Sequence, residues 1–318
     1  MLITLILCTY NRCGILPKAL NSVVASIVPS WVEWEVLVVD NNSTDQTREV
    51  VEDFCQRYPS RFRYLLEPKQ GLSRARNAGI RESRADVLAF TDDDVTVDPS
   101  WLWNLTASLC NSAWAGAAGR VLPLWGNSLP GWLSPKDPHE LAPFVAFEPG
   151  SEADVLTEPP FGANMAFRKE MFEKYGIFRT DLGRCANDML SNEDTEFGRR
   201  LLNGGERLRY EPSAVVYHPV AENRLRKEYL LKWWFGKGRS EIAELGIPQG
   251  TRWFLYGIPL YIVRRLVMWT LRWMIAMNPS KRFSGKRRVW FLAGSILECH
   301  QRSPATCGKS RAASDVRR

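Results

Sequence analysis

Three consecutive carboxylates, Asp92, Asp93 and Asp94, follow the apolar run Val87-Leu88-Ala89-Phe90-Thr91. Like charges held this close repel unless a cation or solvent relieves them. A hard divalent ion such as Mg²⁺ or Mn²⁺ does so while bridging protein oxygens to substrate phosphates. Side chains two apart on an extended segment point the same way, so Asp92 and Asp94 address one site. Polar residues also close two other apolar runs: Thr9, Tyr10 and Asn11 after the first, and Asp40-Asn41-Asn42-Ser43 after the second. A tyrosine at a strand mouth can stack on a nucleobase, and an aspartate can accept from a base N–H or a ribose hydroxyl. The same two residues can instead pack on a helix and cap a turn with Ser43. Arg74 and Arg76 open a helical segment after Gly71, where a guanidinium reaches base or diphosphate oxygens; one of the two can equally be a surface charge. Farther on, Glu193, Asp194 and Glu196 follow Asn192, and His218 ends the run Val215-Val216-Tyr217. Acids in a first turn complement the helix dipole in any protein, and a histidine at a strand end is commonly a hydrogen-bonded structural residue.

The elements that must position these groups are legible as patterns. Leu2 to Cys8, Glu35 to Val39, Phe62 to Leu66 and Val87 to Thr91 read as strands. Leu16, Leu20, Val23 and Ile27, then Val50, Val51, Phe54 and Tyr58, recur at helical steps between them. The alternation predicts βαβ units in an α/β fold with a mainly parallel twisted sheet flanked by helices. The strand C-termini then share one edge, where ligands of open α/β sheets bind. Between Val121 and Pro160 the chain is rich in Pro, Gly and Trp, which predicts little regular structure there. Gly162 to Phe167 reads as a strand and Arg168 to Tyr175 as a short helix. A further helix reads as N-capped by Asn192 and ended by Gly204-Gly205.

The formal net charge of +7 is unevenly placed. Residues 251–318 hold 14 Lys and Arg against 2 acids, which leaves 28 against 33 in the first 250 residues. A nucleic-acid binder would need a basic folded surface with interleaved aromatics, so the net acidity of the larger part speaks against that class. Seven cysteines without a Cys-x-x-Cys pair or a neighbouring histidine argue against a disulfide framework or zinc site, which fits a reducing compartment. The opening Leu2 to Leu7 run lacks a basic leader and reads as the first strand, not as a signal sequence.

Taken in order, five segments resemble the inverting family 2 glycosyltransferases, which have the GT-A (nucleotide-diphosphosugar transferase) fold. They are Cys8-Thr9-Tyr10-Asn11-Arg12, Val38-Val39-Asp40-Asn41-Asn42-Ser43-Thr44-Asp45, Gly71-Leu72-Ser73-Arg74-Ala75-Arg76-Asn77-Ala78-Gly79, Phe90-Thr91-Asp92-Asp93-Asp94 and Asn192-Glu193-Asp194. Cys8 stands where that family often has proline. The resemblance implies transfer of a sugar from a nucleotide-diphosphate-sugar donor to an acceptor hydroxyl with inversion, assisted by Mg²⁺ or Mn²⁺. It implies donor contacts from Thr9, Tyr10, Asn11, Asp40, Arg74 or Arg76, Asp92 and Asp93, and a metal held by Asp94 with Asp92 and, as in some relatives, His218. Asp194 is the implied general base, with Glu193 its alternative or its orienting neighbour. Gly162-Ala163-Asn164 resembles the acceptor-side strand.

This gives a catalytic domain at 1–220, with a nucleotide-sugar part at 1–110 and an acceptor part at 111–220. A helical extension at 221–300 and a basic tail at 301–318 follow. The acceptor class is a glycan or a lipid-linked sugar. A nucleotidyltransferase of the same fold class would carry a Gly-rich basic loop after the first strand, and Cys8 to Arg12 is not one. A sugar-nucleotide-binding protein without turnover would have no use for both a metal triplet and a separate base.

In the extension, Trp253 to Val263 is too short to span a bilayer, and lengthening it to Met277 brings in Arg264, Arg265 and Arg272. The segment reads as a basic amphipathic surface element. Trp253, Trp269, Trp273 and Trp290 would sit at headgroup depth, with Lys281-Arg282 and Lys286-Arg287-Arg288 toward anionic lipid; packing on the catalytic domain and a dimer contact are the other readings. The expected location is cytoplasmic, peripheral on the inner face of the cell membrane.

Overall fold

In the computed structural model, which describes residues 1–110, 113–126, 130, 133, 141–185 and 188–302, the early apolar runs are parallel strands alternating with helices. Strands β1 (Leu2–Thr9), β2 (Glu33–Asp40), β3 (Phe62–Leu66) and β4 (Val87–Asp92) pair in the order β3-β2-β1-β4, all parallel. Helices α1 (Leu16–Val24) and α2 (Thr47–Arg57) cover one face, where Leu16, Leu20, Val51 and Phe54 meet Leu5, Leu7, Val36 and Val38. Helix α3 (Leu72–Glu82) covers the other, with Ala75 and Ile80 in one core with Ile6, Val39 and Phe90. Burial on both faces is why these strands read as unbroken apolar runs.

Beyond β4 the sheet changes direction. It continues through β5 (Thr96–Val97), α4 (Trp101–Thr106), β6 (Gly116–Trp125), β7 (Asp154–Val155), β8 (Asn164–Arg168), α5 (Lys169–Tyr175), α6 (Glu193–Asn203) and β9 (Leu208–Val220). The spatial order is β3-β2-β1-β4-β8-β6-β9-β5, with β7 on β9. β8 is antiparallel to β4 and β6, whereas β6 and β9 are parallel and give the longest of the later ladders. Strand β6 runs into the stretch whose prolines predicted irregularity. Past Ala118 the edge of β6 that faced β8 exchanges backbone bonds with Phe147 at Val121, and Pro123 lies beyond that bridge. Much of the remaining Pro- and Trp-rich stretch lies outside the described residues.

Two compact units divide the chain: Met1–Asn127, Phe144–Ala186 and Glu193–Val220 form the first, and the remaining described residues form the second. The second is built on α7 (Lys227–Leu245), α8 (Leu260–Ile275) and α9 (Pro279–Arg302). Helices α7 and α9 cross in backbone contact. A Cβ on Gly238 or Gly294 would fall on the carbonyl oxygen of Phe291 or Phe235, so neither position admits a side chain. The Ser295 hydroxyl donates to the Gly238 carbonyl (3.2 Å), and Arg239 bonds both Glu298 (3.0 Å) and Asp188 (2.7 Å). Ile242, Ile262, Leu292 and Cys299 form its small core. Among the described residues no helix is long and apolar enough to cross a membrane.

In the first unit one buried amide ties the later strands together. The Asn164 amide donates to the carbonyls of Arg120 (2.9 Å) and Ala214 (2.8 Å), while its Oδ1 accepts from the Trp101 indole (2.8 Å). These partners sit on β6, beside the register shift between Gly119 and Arg120, on β9 and on α4. Asn164→Ala strands a buried indole N–H and two carbonyls. We expect a loss of about 2–4 kcal/mol in urea unfolding, on a cost of about 1–3 kcal/mol for a buried group left unsatisfied. A loss under about 1 kcal/mol would contradict this role.

Candidate active site

The C-terminal edge of the parallel strands brings the predicted polar residues together. Thr9 pairs in register with Asp40, and Cys8 pairs with Val39 on one side and Asp92 on the other, so the ends of β1, β2 and β4 stand in one row. Burial pushes the Cys8 thiol up to about 12, which makes it an inert packing group. The loops beyond β1 and β2 are stitched to each other. Asn11, in the left-handed region at φ 51°, accepts from the Thr44 N–H (2.7 Å), and its own N–H donates to the Ser43 hydroxyl (2.9 Å). Tyr10 projects beside them with 37% exposure, enough to offer a ring face.

Asp40 is buried and caps its turn by accepting from the Ser43 N–H (2.9 Å); it also accepts from the Tyr64 hydroxyl (3.0 Å). Each oxygen keeps a lone pair for a further donor. Burial first, and the bond to Asp40 second, push the Tyr64 hydroxyl up to about 12, so it remains a proton donor. Asn41, a motif residue given no role by sequence reasoning, accepts from the Gly71 N–H (2.7 Å) and donates to the Glu67 and Lys69 carbonyls (3.0 and 2.9 Å). It shapes the entry to α3.

Helix α3 then directs its polar side chains inward. Ser73 donates to the Leu182 carbonyl (2.7 Å), and the Asn77 amide exchanges two bonds with the Phe178 backbone (2.8 and 3.0 Å), so the motif clamps the segment leading toward α6. Arg76 is buried, with Nη1 bonded to Glu193 Oε1 (2.7 Å) and Nη2 near the Gly162 carbonyl (3.4 Å) and Asp92 (3.6 Å). Arg74 is half-buried and is the one of the pair with solvent access.

Asp93 is pushed up to about 7, first by burial and then by Asp94, against the opposing pull of Arg12 and the Thr9 hydroxyl. Asp92 is raised by burial and by Asp94, with Arg76 pulling it back. Strand β9 pairs with β5 just beyond the triplet and brings His218 Nε2 to 3.5 Å from Asp94 Oδ1, although the two are remote in sequence. Arg12 approaches Asp93 (4.0 Å) and Asp94 (3.9 Å); it stands in a quoted motif, but spacing alone gave it no role.

Among the described residues no three His, Cys, Asp or Glu side chains are already gathered as a ligand set. Asp94 and His218 nonetheless suit a borderline divalent ion, and mutual repulsion within the triplet favours a cation. Such ions take few protein ligands when substrate phosphates complete the shell.

Across from the triplet, the Gly162 N–H donates to Asp194 Oδ2 (2.6 Å) and the Thr195 N–H donates to Oδ1 (2.7 Å). A Cβ on Gly162 would stand 2.5 Å from Arg76 Nη2 and 2.9 Å from Asp194 Oδ2, so a side chain there would displace the ends of both charged groups. Asn192 precedes α6, but its amide donates to Glu244 (2.6 Å) and its Oδ1 accepts from Lys237 (2.7 Å). Its side chain therefore serves the second unit and does not close the helix end as predicted.

Residues 4–176 match the family model described as Glycosyl transferase family 2. The chain is 30% identical over 234 residues to the succinoglycan biosynthesis protein ExoM of Rhizobium meliloti, covering 73% of this chain and 72% of that one. It is 25% identical over 260 residues to the glucosyl-dolichyl phosphate glucuronosyltransferase of Haloferax volcanii, covering 79% and 80%. In structure it is similar to the mannosyltransferase PcManGT from Pyrobaculum calidifontis, solved with GDP-Man and Mn²⁺. The TM-score is 0.63 at 17% identity, over 95% of this chain and 88% of that one, a likeness of fold.

Burial, then repulsion by Asp194, raise the Glu193 carboxyl from 4.5 to about 7, against the pull of Arg76. The folded form therefore keeps a proton that the unfolded chain releases from about pH 4.5 upward. Its stabilising contribution is complete below that pH and is lost as pH rises through about 7. Glu193→Gln removes this titration. In urea unfolding at pH 5 and pH 8 we expect the wild-type loss to exceed the variant's by on the order of 2–3 kcal/mol. Equal slopes would refute the shift.

Proposed function

Since the chain belongs to glycosyltransferase family 2, we propose that its carboxylate-rich edge moves a sugar from a nucleotide-diphosphate donor to an acceptor hydroxyl with inversion, assisted by a divalent cation. The observation that supports this best is the convergence of Asp94 with His218 at 3.5 Å and of Asp194 with the Gly162 N–H at 2.6 Å, with buried Arg76 joining Asp92 to Glu193.

Tyr10 stacks on the base, Asp40 accepts from base or ribose, and Thr9, Asn11 and Asp93 complete the donor floor, with Arg74 or Arg76 toward the diphosphate. Asp94 and His218, with Asp92 beside them, hold Mg²⁺ or Mn²⁺, which when bound neutralises charge on the leaving diphosphate. The acceptor oxygen attacks the anomeric carbon and its proton passes to Asp194. The bond from that carbon to the diphosphate oxygen breaks, and its electron pair stays with the diphosphate. The two backbone N–H groups fix the Asp194 carboxylate for this task. Glu193, buried and held by Arg76, positions the base and does not itself meet the acceptor.

The acceptor is a glycan or lipid-linked sugar, as the two relatives' names suggest. The enzyme works peripherally on the inner face of the cell membrane, with 1–220 as the catalytic part and 221–300 as the attachment.

Two substitutions separate the roles. Asp94→Ala, like excess EDTA, should abolish Mn²⁺-dependent release of nucleotide from a panel of UDP-, GDP- and dTDP-sugars; full turnover in either condition sinks the metal assignment. Asp194→Asn should lower kcat by about 10²–10⁴ with donor KM within a few-fold, the range for loss of a general base. Unchanged kcat with weakened donor binding would remove Asp194 from that role.

A further inference from the structure

Helix α8 is apolar on both sides. Its inner side, with Ile262, Leu266 and Trp269, packs with Ile242 and Leu292. Its outer side is exposed: Val267 55%, Leu271 57%, Met274 67% and Ile275 75%, followed by Met277 at 96%. Ahead of it, a short hairpin pairs 254–255 with 258–259 and presents Trp253 at 74% and Tyr256 at 87% exposure. A contiguous apolar face of this kind is rare on a soluble protein unless something covers it.

The charges around this face identify the occupant. Arg252, Arg264, Arg265, Arg272, Lys281 and Arg282 are exposed with it, and residues 251–297 contain no Asp or Glu. A second copy of the same face would set these cations against one another with no acid between them. An anionic surface that also accepts apolar side chains matches both features. At 16 residues α8 is about 24 Å long, shorter than a hydrocarbon core of about 30 Å, so it lies in the interface plane.

The structure reassigns the tryptophans. Trp269, Trp273 and Trp290 are half-buried under cations: Arg272 and Arg288 stand over the Trp269 ring (5.0 and 5.2 Å), and Lys286 over Trp273 and Trp290 (5.7 and 5.5 Å). Arg287 is buried over Trp234 (4.9 Å). Of the four tryptophans expected at headgroup depth, only Trp253 is exposed.

We infer that the outer face of α8 from Val267 to Met277, with Trp253 and Tyr256, seats in the boundary between headgroups and acyl chains of an anionic bilayer, with the arginines at phosphate level. This rests on the peripheral attachment proposed above. It needs neither donor nor cation, so vesicle binding and sugar transfer stand or fall separately.

The test floats the full chain with phosphatidylcholine vesicles and with phosphatidylcholine–phosphatidylglycerol vesicles, without donor or metal. Wild type should float on the mixed vesicles. Leu271→Ser/Met274→Ser/Ile275→Ser should lower its partition by about tenfold or more, with an unchanged melting temperature because all three sites are exposed. Met274→Asp provides a second, smaller perturbation in the same direction. Arg264→Gln/Arg265→Gln/Arg272→Gln should reduce the preference for mixed over neutral vesicles. Wild-type flotation by the serine variant, or no flotation by wild type, overturns the inference. So does a wild-type dimer in solution that the serine variant dissociates, which would make the face a subunit contact.

Discussion

Arg76 sits where its guanidinium has almost no water, and the rest of the site is arranged around that fact. A buried cation must be neutralised where it lies, and Glu193, Asp92 and the Gly162 carbonyl all approach it. Removing one partner of such a pair costs about 3–5 kcal/mol because the other is left charged and dry. The guanidinium therefore fixes the relative positions of α3, the end of β4, the Gly162 turn and the first residue of α6. The carboxylate proposed to move a proton, Asp194, is then placed by its backbone neighbours without carrying the burden of compensating Arg76 alone. A division of labour between adjacent acids follows: the buried one sets geometry, and the more accessible one is available for chemistry.

At the triplet the electrostatic problem is reversed, because three carboxylates crowd one strand end, where Asp94 raises both Asp92 and Asp93. Arg12 reaches Asp93 and Asp94 only at 4.0 and 3.9 Å, and its exposed side chain is worth little as a counter-charge there. Burial and mutual repulsion accordingly raise Asp93 to about 7. A cluster strained in this way is predisposed toward a ligand that brings positive charge, and the histidine from β9 adds a nitrogen without adding a further carboxylate. That His218 belongs here is a consequence of topology: β9 must return beside β5 to bring it to the triplet.

This also marks where the sequence was and was not legible. The parallel half was readable because each strand is a buried apolar run ended by polar residues, so Thr9, Asp40 and Asp92 could be placed on one edge before any coordinates. In the second half the strand at 164–168 and the helices at 169–175 and 193–203 were readable but their arrangement was not, since Asn164 joins groups on β6, β9 and α4 and nothing local announces long-range hydrogen bonds. Arg76 was legible as a cation near the start of a helix, but its burial against Phe178 and Gly162 was not, because both are remote from it in sequence. Asn192 had the residue type of a cap, yet partners on α7 compete for its side chain.

The tryptophans of the second unit misled for a related reason. An aromatic beside a basic residue suits a membrane interface, but it equally suits a cation stacked on a ring inside a helical pack, and sequence does not distinguish the two. Packing does. With α7 and α9 in backbone contact at Gly238 and Gly294, there is little room between them, and α9 turns its cations onto the rings of α8. That arrangement satisfies the inner side of α8, while Val267, Leu271, Met274 and Ile275 on its outer side remain exposed among the described residues. An exposed apolar stretch of this size on a helix is uncommon unless something covers it. The basic residues that flank the outer side, with no acid among residues 251–297, are the reason the occupant proposed for it is a surface that is itself negative.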